Sequence, residues 1–368
     1  MRALVASQEF KGSLSAAEAC EAIAAGLKAA APDWQVDLVP LSDGGPGFID
    51  ALRRAIRCDI GAVAVHDALG RPVLARYLVT GGAGDVIIEA AQANGLVHIE
   101  PGERDALRAD TRGVGELIAA AVTPGTRRLI VGVGGSATSD GGAGMAMALG
   151  ARLLDRAGHS IGDGVQPLLS LDRIEWERGR FSGLDVVVAA DVRNPLVGPD
   201  GAAAVYGPQK GAGPAQVRVI DRALRVYAKV VARDLGVEIA AMPGTGAAGG
   251  LAGGLVAFFG ATIVSGFDVV ASATGLRERL AAADVVITGE GRFDAQSLQG
   301  KGPARLRALA LEEGREACIF AGQATAREPG VFVLSDLEPD PAKSMAQASS
   351  LLRETARRWA TARGAATD

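Results

Sequence analysis

Apolar residues in this chain fall in short runs separated by longer amphipathic stretches. The runs Arg2–Ala6, Val36–Leu41, Val86–Glu89, Leu129–Val133, Leu184–Ala190, Asp284–Thr288, Ala317–Ala321 and Val331–Leu334 have the length and β-branched content of buried strands. Between them lie helical patterns. Ser15 and Glu18 form a capping box ahead of a helix that Pro32 ends, Phe48–Arg57 follows a glycine turn, and Thr111 caps a helix through Val122. Ala215–Leu235 carries its core positions Val219, Leu224, Tyr227, Val230 and Val231 at helical spacing, and Pro341–Arg363 reads as the last helix. One region differs. Ala62–Asp67 and Pro72–Val79 alternate about Ala68–Arg71 as a hairpin would. Strands alternating with helices predict an α/β protein with mostly parallel sheet, whose polar sites collect beyond the strand C-termini.

Length makes two domains the expectation for 368 residues, and 48% hydrophobic content is ample for their cores. The texture change near Arg57–Gly61 suggests a boundary there. Charge removes several function classes. With 38 basic and 42 acidic residues the net charge is −4, and no basic block or aromatic-interleaved stripe speaks for nucleic acid. Leu251–Ile263, among the longest apolar runs, is broken by glycine and is too short for a membrane span. Cys20, Cys58 and Cys318 are far apart and read as reduced thiols of a cytoplasmic protein, while the N-terminus lacks the apolar core of a signal peptide. Only His66, His98 and His159 occur, none in a zinc-like or triad-like setting. Chemistry must then rest on Asp, Glu, Lys, Arg, backbone N–H groups and a hard metal ion, a set suited to phosphoryl transfer.

The candidate chemistry follows the strands. After Leu129–Val133 comes Gly134-Gly135-Ser136-Ala137-Thr138-Ser139-Asp140-Gly141-Gly142, where glycines and a helix start favour an anion. Lys11 sits in the turn after the first strand, where a lysine can hold phosphate as a point charge. Asp43 follows the second strand and opens a second Asp-Gly-Gly, fit for a metal ligand, a hydroxyl acceptor or a helix cap. Asp191, with Asn194 close by, follows the strand Leu184–Ala190 and is placed to act as a base or metal ligand. Glu290, Asp294 and Lys301 share a stretch that reads as a loop after Asp284–Thr288 and suggests a Mg²⁺–nucleotide constellation. No GxxxxGK[ST] is present. Gly132–Ala137 matches G-x-G-x-x-A with Asp155 downstream, which keeps an NAD-type oxidoreductase of a small hydroxy acid as the alternative.

Six segments carry a family resemblance: Phe10–Ala16, Asp43–Gly47, Gly132–Met145, Ala190–Ala212, Gly244–Leu251 and Ile287–Pro303. In number, order and spacing the sequence resembles the bacterial type I glycerate kinases along nearly its whole length. The resemblance implies transfer of the ATP γ-phosphoryl group to a hydroxyl of D-glycerate with Mg²⁺, giving 2-phosphoglycerate. It also implies two α/β domains, one Rossmann-like, with the site in the cleft between them. The boundaries expected are 1–60 with 285–368 for the Rossmann-like domain and 61–284 for the inserted one. Chemistry then suggests roles. Asp191 is the candidate base, and Lys11 and Lys210 neutralise phosphate charge. Gly134, Gly135, Ser136 and Asp140 cradle the anion, with Asp43 and Asn194 beside the substrate. Gly289, Glu290 and Lys301 meet the nucleotide, and Glu290 and Asp294 hold Mg²⁺. The partner expected is a small molecule, not nucleic acid or membrane, and a homodimer is compatible. Two departures stand out: Gln8-Glu9 replaces the family's Asp-Ser, and Pro46 replaces the Glu of DGGEG. The loss of these acids leaves a third reading, a non-catalytic binder of a small acid.

Overall fold

The computed structural model describes residues 1–81, 84–294, 297, 302–325 and 328–367. The chain is α/β with mostly parallel sheets, as the alternation of strands and helices leads one to expect. It divides into two compact units, one made of Met1–Asp43, Asp50–Ile56 and Phe267–Asp368 and the other of Gly44–Ile49 and Arg57–Gly266. The first helix does begin with a full capping box. The Ser15 hydroxyl accepts from the Glu18 N–H, and the Glu18 carboxylate accepts from the Ser15 N–H at 2.8 Å.

The unit holding the N-terminus carries a five-stranded, all-parallel sheet. Its strand order is Val331–Val333, Glu316–Ala324, Val285–Phe293, Arg2–Ser7, Gln35–Leu38. The helices Ala16–Ala30 and Ala348–Thr367 pack against each other here, and Ile23, Leu27, Leu352 and Ala356 are buried with Val5, Ile287 and Phe320. Two expectations change. The strand at Val285 runs on to Phe293, because its partner Glu316–Ala324 continues beside it to the Phe293–Ala324 pair. The expected final helix is two, Pro341–Ala346 and Ala348–Thr367, the first capped by Asp340.

The second unit has a six-stranded sheet in the order Thr262–Val264, Asp185–Ala189, Arg128–Gly132, Asp85–Glu89, Pro72–Thr80, Cys58–His66. The first four are parallel. The last two form the expected hairpin, antiparallel from Cys58–Thr80 to His66–Pro72. The apolar run after Gly250 becomes a wholly buried helix, Leu251–Phe259, and then a short strand. The long helix Pro214–Leu235 buries Leu224, Tyr227, Val230 and Val231 in the same core.

Candidate active site

In the second unit the parallel strands place their C-termini in a row. Gly132 pairs with Ala189, so Asp191 and the loop after Gly132 emerge at one end of the sheet. The loop is not an open cradle. The N–H of Val133 donates to Ala189 O, that of Gly134 to Gly44 O, that of Ala137 to Asn94 O and that of Gly141 to Gly249 O. Gly249 shows why glycine is required: a Cβ there would lie 2.0 Å from the Thr138 carbonyl oxygen, and its φ is +67°. Backbone packed on backbone therefore accounts for much of the glycine content. Gly134 in particular has its N–H committed and cannot offer it to an anion.

Asp140 is 1% exposed, and its carboxylate accepts four hydrogen bonds. Thr111 gives two, from N–H (3.0 Å) and hydroxyl (2.8 Å), and the N–H groups of Gly142 (3.2 Å) and Gly144 (3.0 Å) give the others. It thus closes the starts of two helices, Arg112–Ala121 and Ala143–Ala148. Burial raises its pKa in spite of these donors. As a substrate ligand Asp140 is therefore corrected: its oxygens are occupied by the protein itself. Neighbouring Asp110 is pushed up to about 7, chiefly by burial and then by Asp140.

Lys210 differs from the phosphate-neutralising lysine expected. It is 2% exposed, and its Nζ donates to the Thr138 carbonyl at 2.6 Å and to Ser136 Oγ at 3.1 Å. Burial pulls its pKa down to about 7, opposed by Asp140. Asn194 is likewise a loop staple. Its amide donates to Asp200 O at 2.8 Å, its Oδ1 accepts from the Tyr206 hydroxyl at 2.6 Å, and its carbonyl accepts from Gly244 and Gly246. Asp191 is half-buried just beyond Ala189–Ala190. Sequence reading passed over Asn94, whose amide donates to Thr138 Oγ1 at 3.0 Å. It assigned Thr111 only a capping role. An Asp-Thr pair opening a helix was the available signal for Thr111; nothing marked Asn94.

In the other unit Lys11 is exposed, in a turn closed by Phe10–Leu14 hydrogen bonds, with the Phe10 ring buried beneath. The turn lies on the strand Val285–Phe293: a Cβ on Gly291 would come within 3.1 Å of the Lys11 nitrogen and 3.2 Å of Phe10 Cα. Glu9 feels both Lys11 and Asp43. Burial raises its pKa, Asp43 adds to that, and Lys11 opposes it.

Gly289 and Glu290 are strand residues and not loop residues, paired with Phe320 and Ala321. This changes the metal assignment. Glu290 lies within the strand and Asp294 follows its last residue, Phe293, so the two carboxylates do not share one loop. Asp294 has Arg292 at 3.7 Å. Among the described residues no group of three His, Cys, Asp or Glu side chains could hold a metal ion. Lys301 lies outside the described residues.

The glycerate kinase family model matches residues 3–363. The chain belongs to the glycerate kinase family. It is 41% identical over 332 residues to the glycerate 2-kinase of Escherichia coli, covering 88% of this chain and 86% of that protein. It is 40% identical over 365 residues to a glycerate kinase of Halalkalibacterium halodurans, covering 96% of each. A solved structure from Salmonella typhimurium LT2, assigned as a glycerate kinase 2, superposes with a TM-score of 0.82 at 40% identity, covering 100% of this chain and 99% of that one. A glycerate kinase is a phosphotransferase with an alcohol acceptor, and a kinase takes ATP as donor. The oxidoreductase reading falls with this, and the structure gives a local reason. After Gly132–Ala137 the helix begins only at Ala143, so the pattern does not open a helix on a dinucleotide phosphate. No helix of the described residues is long and apolar enough to cross a membrane.

Proposed function

We propose that this chain transfers the γ-phosphoryl group of ATP to the C2 hydroxyl of D-glycerate, giving 2-phosphoglycerate and ADP. Family membership over 3–363 carries the reading, and the identity to a glycerate 2-kinase favours the 2-hydroxyl. Asp191 is the proposed base: it is a half-buried carboxylate at a strand C-terminus, suited to take the hydroxyl proton as the oxygen attacks phosphorus. Lys11, exposed on its turn, is the cation for the transferring phosphoryl group. Asp43, Ser136 and Gly135 are proposed beside the substrate, and Gly289 and Glu290 beside the nucleotide. Mg²⁺ belongs to this reading as the ion on the ATP phosphates, with a single carboxylate of the chain and not the Glu290–Asp294 pair. Free thiols, two of them buried, and an ATP substrate fit a cytoplasmic location.

The test is ADP formation from Mg-ATP and D-glycerate, with the product identified by phosphorus NMR. A 2-phosphoglycerate signal is the expected result. A 3-phosphoglycerate signal would overturn the regiochemistry, and a folded sample without turnover would overturn the reaction. Asp191→Asn should lose at least about 10²-fold in kcat, in the range for a positioned general base.

A further inference from the structure

The sequence presents Lys210 as a second phosphate lysine, and the structure points elsewhere. Its turn is fixed from outside. The Lys210 N–H donates to Gly207 O, the Gly211 N–H to Pro208 O, and Arg104 holds the Gln209 carbonyl at 3.0 Å. From this anchored turn the side chain reaches inward to Ser136 Oγ and Thr138 O. Asn94 holds the same segment from another side, its carbonyl accepting from the Ala137 N–H at 2.7 Å and its amide donating to Thr138 Oγ1 at 3.0 Å. Lys210, Asn94, Ser136 and Thr138 are all at most 4% exposed.

A buried ammonium carries a desolvation penalty, and a methionine of similar length would avoid it. A methionine cannot, however, donate to a carbonyl and a hydroxyl at once. We propose that Lys210 is a positioning residue that fixes the Ser136–Thr138 segment for substrate and does not itself touch the transferring phosphate. This rests on the reading that Ser136 and its loop serve the glycerate kinase reaction.

Two measurements on the full-length protein test it, one independent of turnover. In Lys210→Met, amide hydrogen exchange at Ala137–Ser139 should quicken at least about tenfold while distant strands keep their protection. In Ser136→Ala, which removes only the 3.1 Å bond, the same amides should quicken less. If Lys210→Met does not fold, the Ser136→Ala exchange carries the test. Unchanged exchange in a folded Lys210→Met, or in Ser136→Ala when that variant stands alone, overturns the proposal whether or not the enzyme is a glycerate kinase.

The second measurement is kinetic. Lys210→Met should lower kcat about 10²-fold, the size of a small misplacement of reacting groups, with the KM for ATP within about threefold. Lys210→Met/Asn94→Ala should lose less than the product of the two single losses, since both act through one segment. A large rise in the KM for ATP, or losses that multiply in the double variant, would assign Lys210 to the phosphate and sink the proposal. A wild-type protein without turnover would instead sink the reaction, leaving the exchange result to stand or fall by itself.

Discussion

Lys11 and Lys210 have the same local setting and opposite circumstances. Each closes a tight turn and is followed by a glycine of positive φ, Gly12 at +76° and Gly211 at +94°. Lys11 is exposed on a turn that rests upon a strand, with Phe10 as the only deeply buried anchor among its neighbours Glu9–Ser13. Lys210 is enclosed and bonded to another loop. A lysine at a glycine turn is therefore not by itself a phosphate site. What lies inward of the turn decides: a packed aromatic leaves the charge outside, whereas a buried carbonyl and hydroxyl draw it in.

The largest effects should come from how tightly each region packs within itself. Gly249→Ala sets a methyl against the Thr138 carbonyl, which Lys210 also engages, and does so at positive φ. A loss of about 3 kcal/mol or more is expected from overpacking in a rigid interior, read as a fall in the urea midpoint. Gly12→Ala also carries positive φ, yet among the described residues its methyl would meet only the flexible end of Met345 at 3.0 Å. The loss there should be about 1 kcal/mol. Equal losses at the two sites would break the contrast.

Much of this architecture was legible beforehand, and the limits have physical causes. Strand periodicity located the sheets, and the Ser15–Glu18 box and the Ala68–Arg71 turn are local codes read from a few residues. The fate of Lys210, Asp140 and Asn194 depends on groups 72, 29 and 12 residues away, Thr138, Thr111 and Tyr206, and local pattern does not carry that information. Gly289–Phe293 was read as loop because glycine and charge are poor strand formers. The neighbouring strand supplied the pairing that overrode them.

Next in size is the effect of removing the exposed charge. If Lys11 meets phosphate, Lys11→Met should lose about 10²-fold or more in kcat/KM, while its melting point stays near wild type because nothing packs on a surface ammonium. Lys210→Met should also lose rate but with altered loop exchange, so the two variants separate a charge that acts directly from one that acts through a loop. A Lys11→Met enzyme of wild-type rate would withdraw the phosphate role from that turn.

Stability against pH probes the enclosed region alone. Lys210 has its pKa lowered to about 7 from 10.5. Between those values the unfolded chain binds a proton that the folded chain does not, so stability rises with pH from about 7 to 10.5. Asp110 has its pKa raised to about 7 from 3.8. There the folded chain holds the extra proton, so stability falls as pH rises from 3.8 to about 7, and Asp140 acts in the same direction. The groups facing them are Asp140 for Lys210, and Asp140, Asp163 and Arg112 for Asp110. Together they predict a shallow minimum near neutrality. Asp110→Asn should flatten its acid side and Lys210→Met its alkaline side. Denaturant midpoints from pH 4 to 10 measure both, and a wild-type maximum near 7 with no change in either variant would refute the assignment.

The smallest effect concerns Glu9, where the family's small polar residue is replaced by an acid beside the exposed lysine. Burial and Asp43 raise its pKa, while Lys11 favours its charged form. In its ionised form, which Lys11 favours, Glu9 sets a carboxylate charge beside that ammonium. An ionised Glu9 offsets part of the Lys11 charge that phosphate would meet. Glu9→Gln keeps the shape, removes that charge and relieves the burial penalty. The KM for ATP should fall about twofold at low salt, with the gain shrinking as salt screens the turn. Stability should change by no more than about 0.5 kcal/mol. Lys11→Met should abolish the gain, because the effect passes through that ammonium. A KM that falls equally in the Lys11→Met background would show that Glu9 repels the nucleotide by itself.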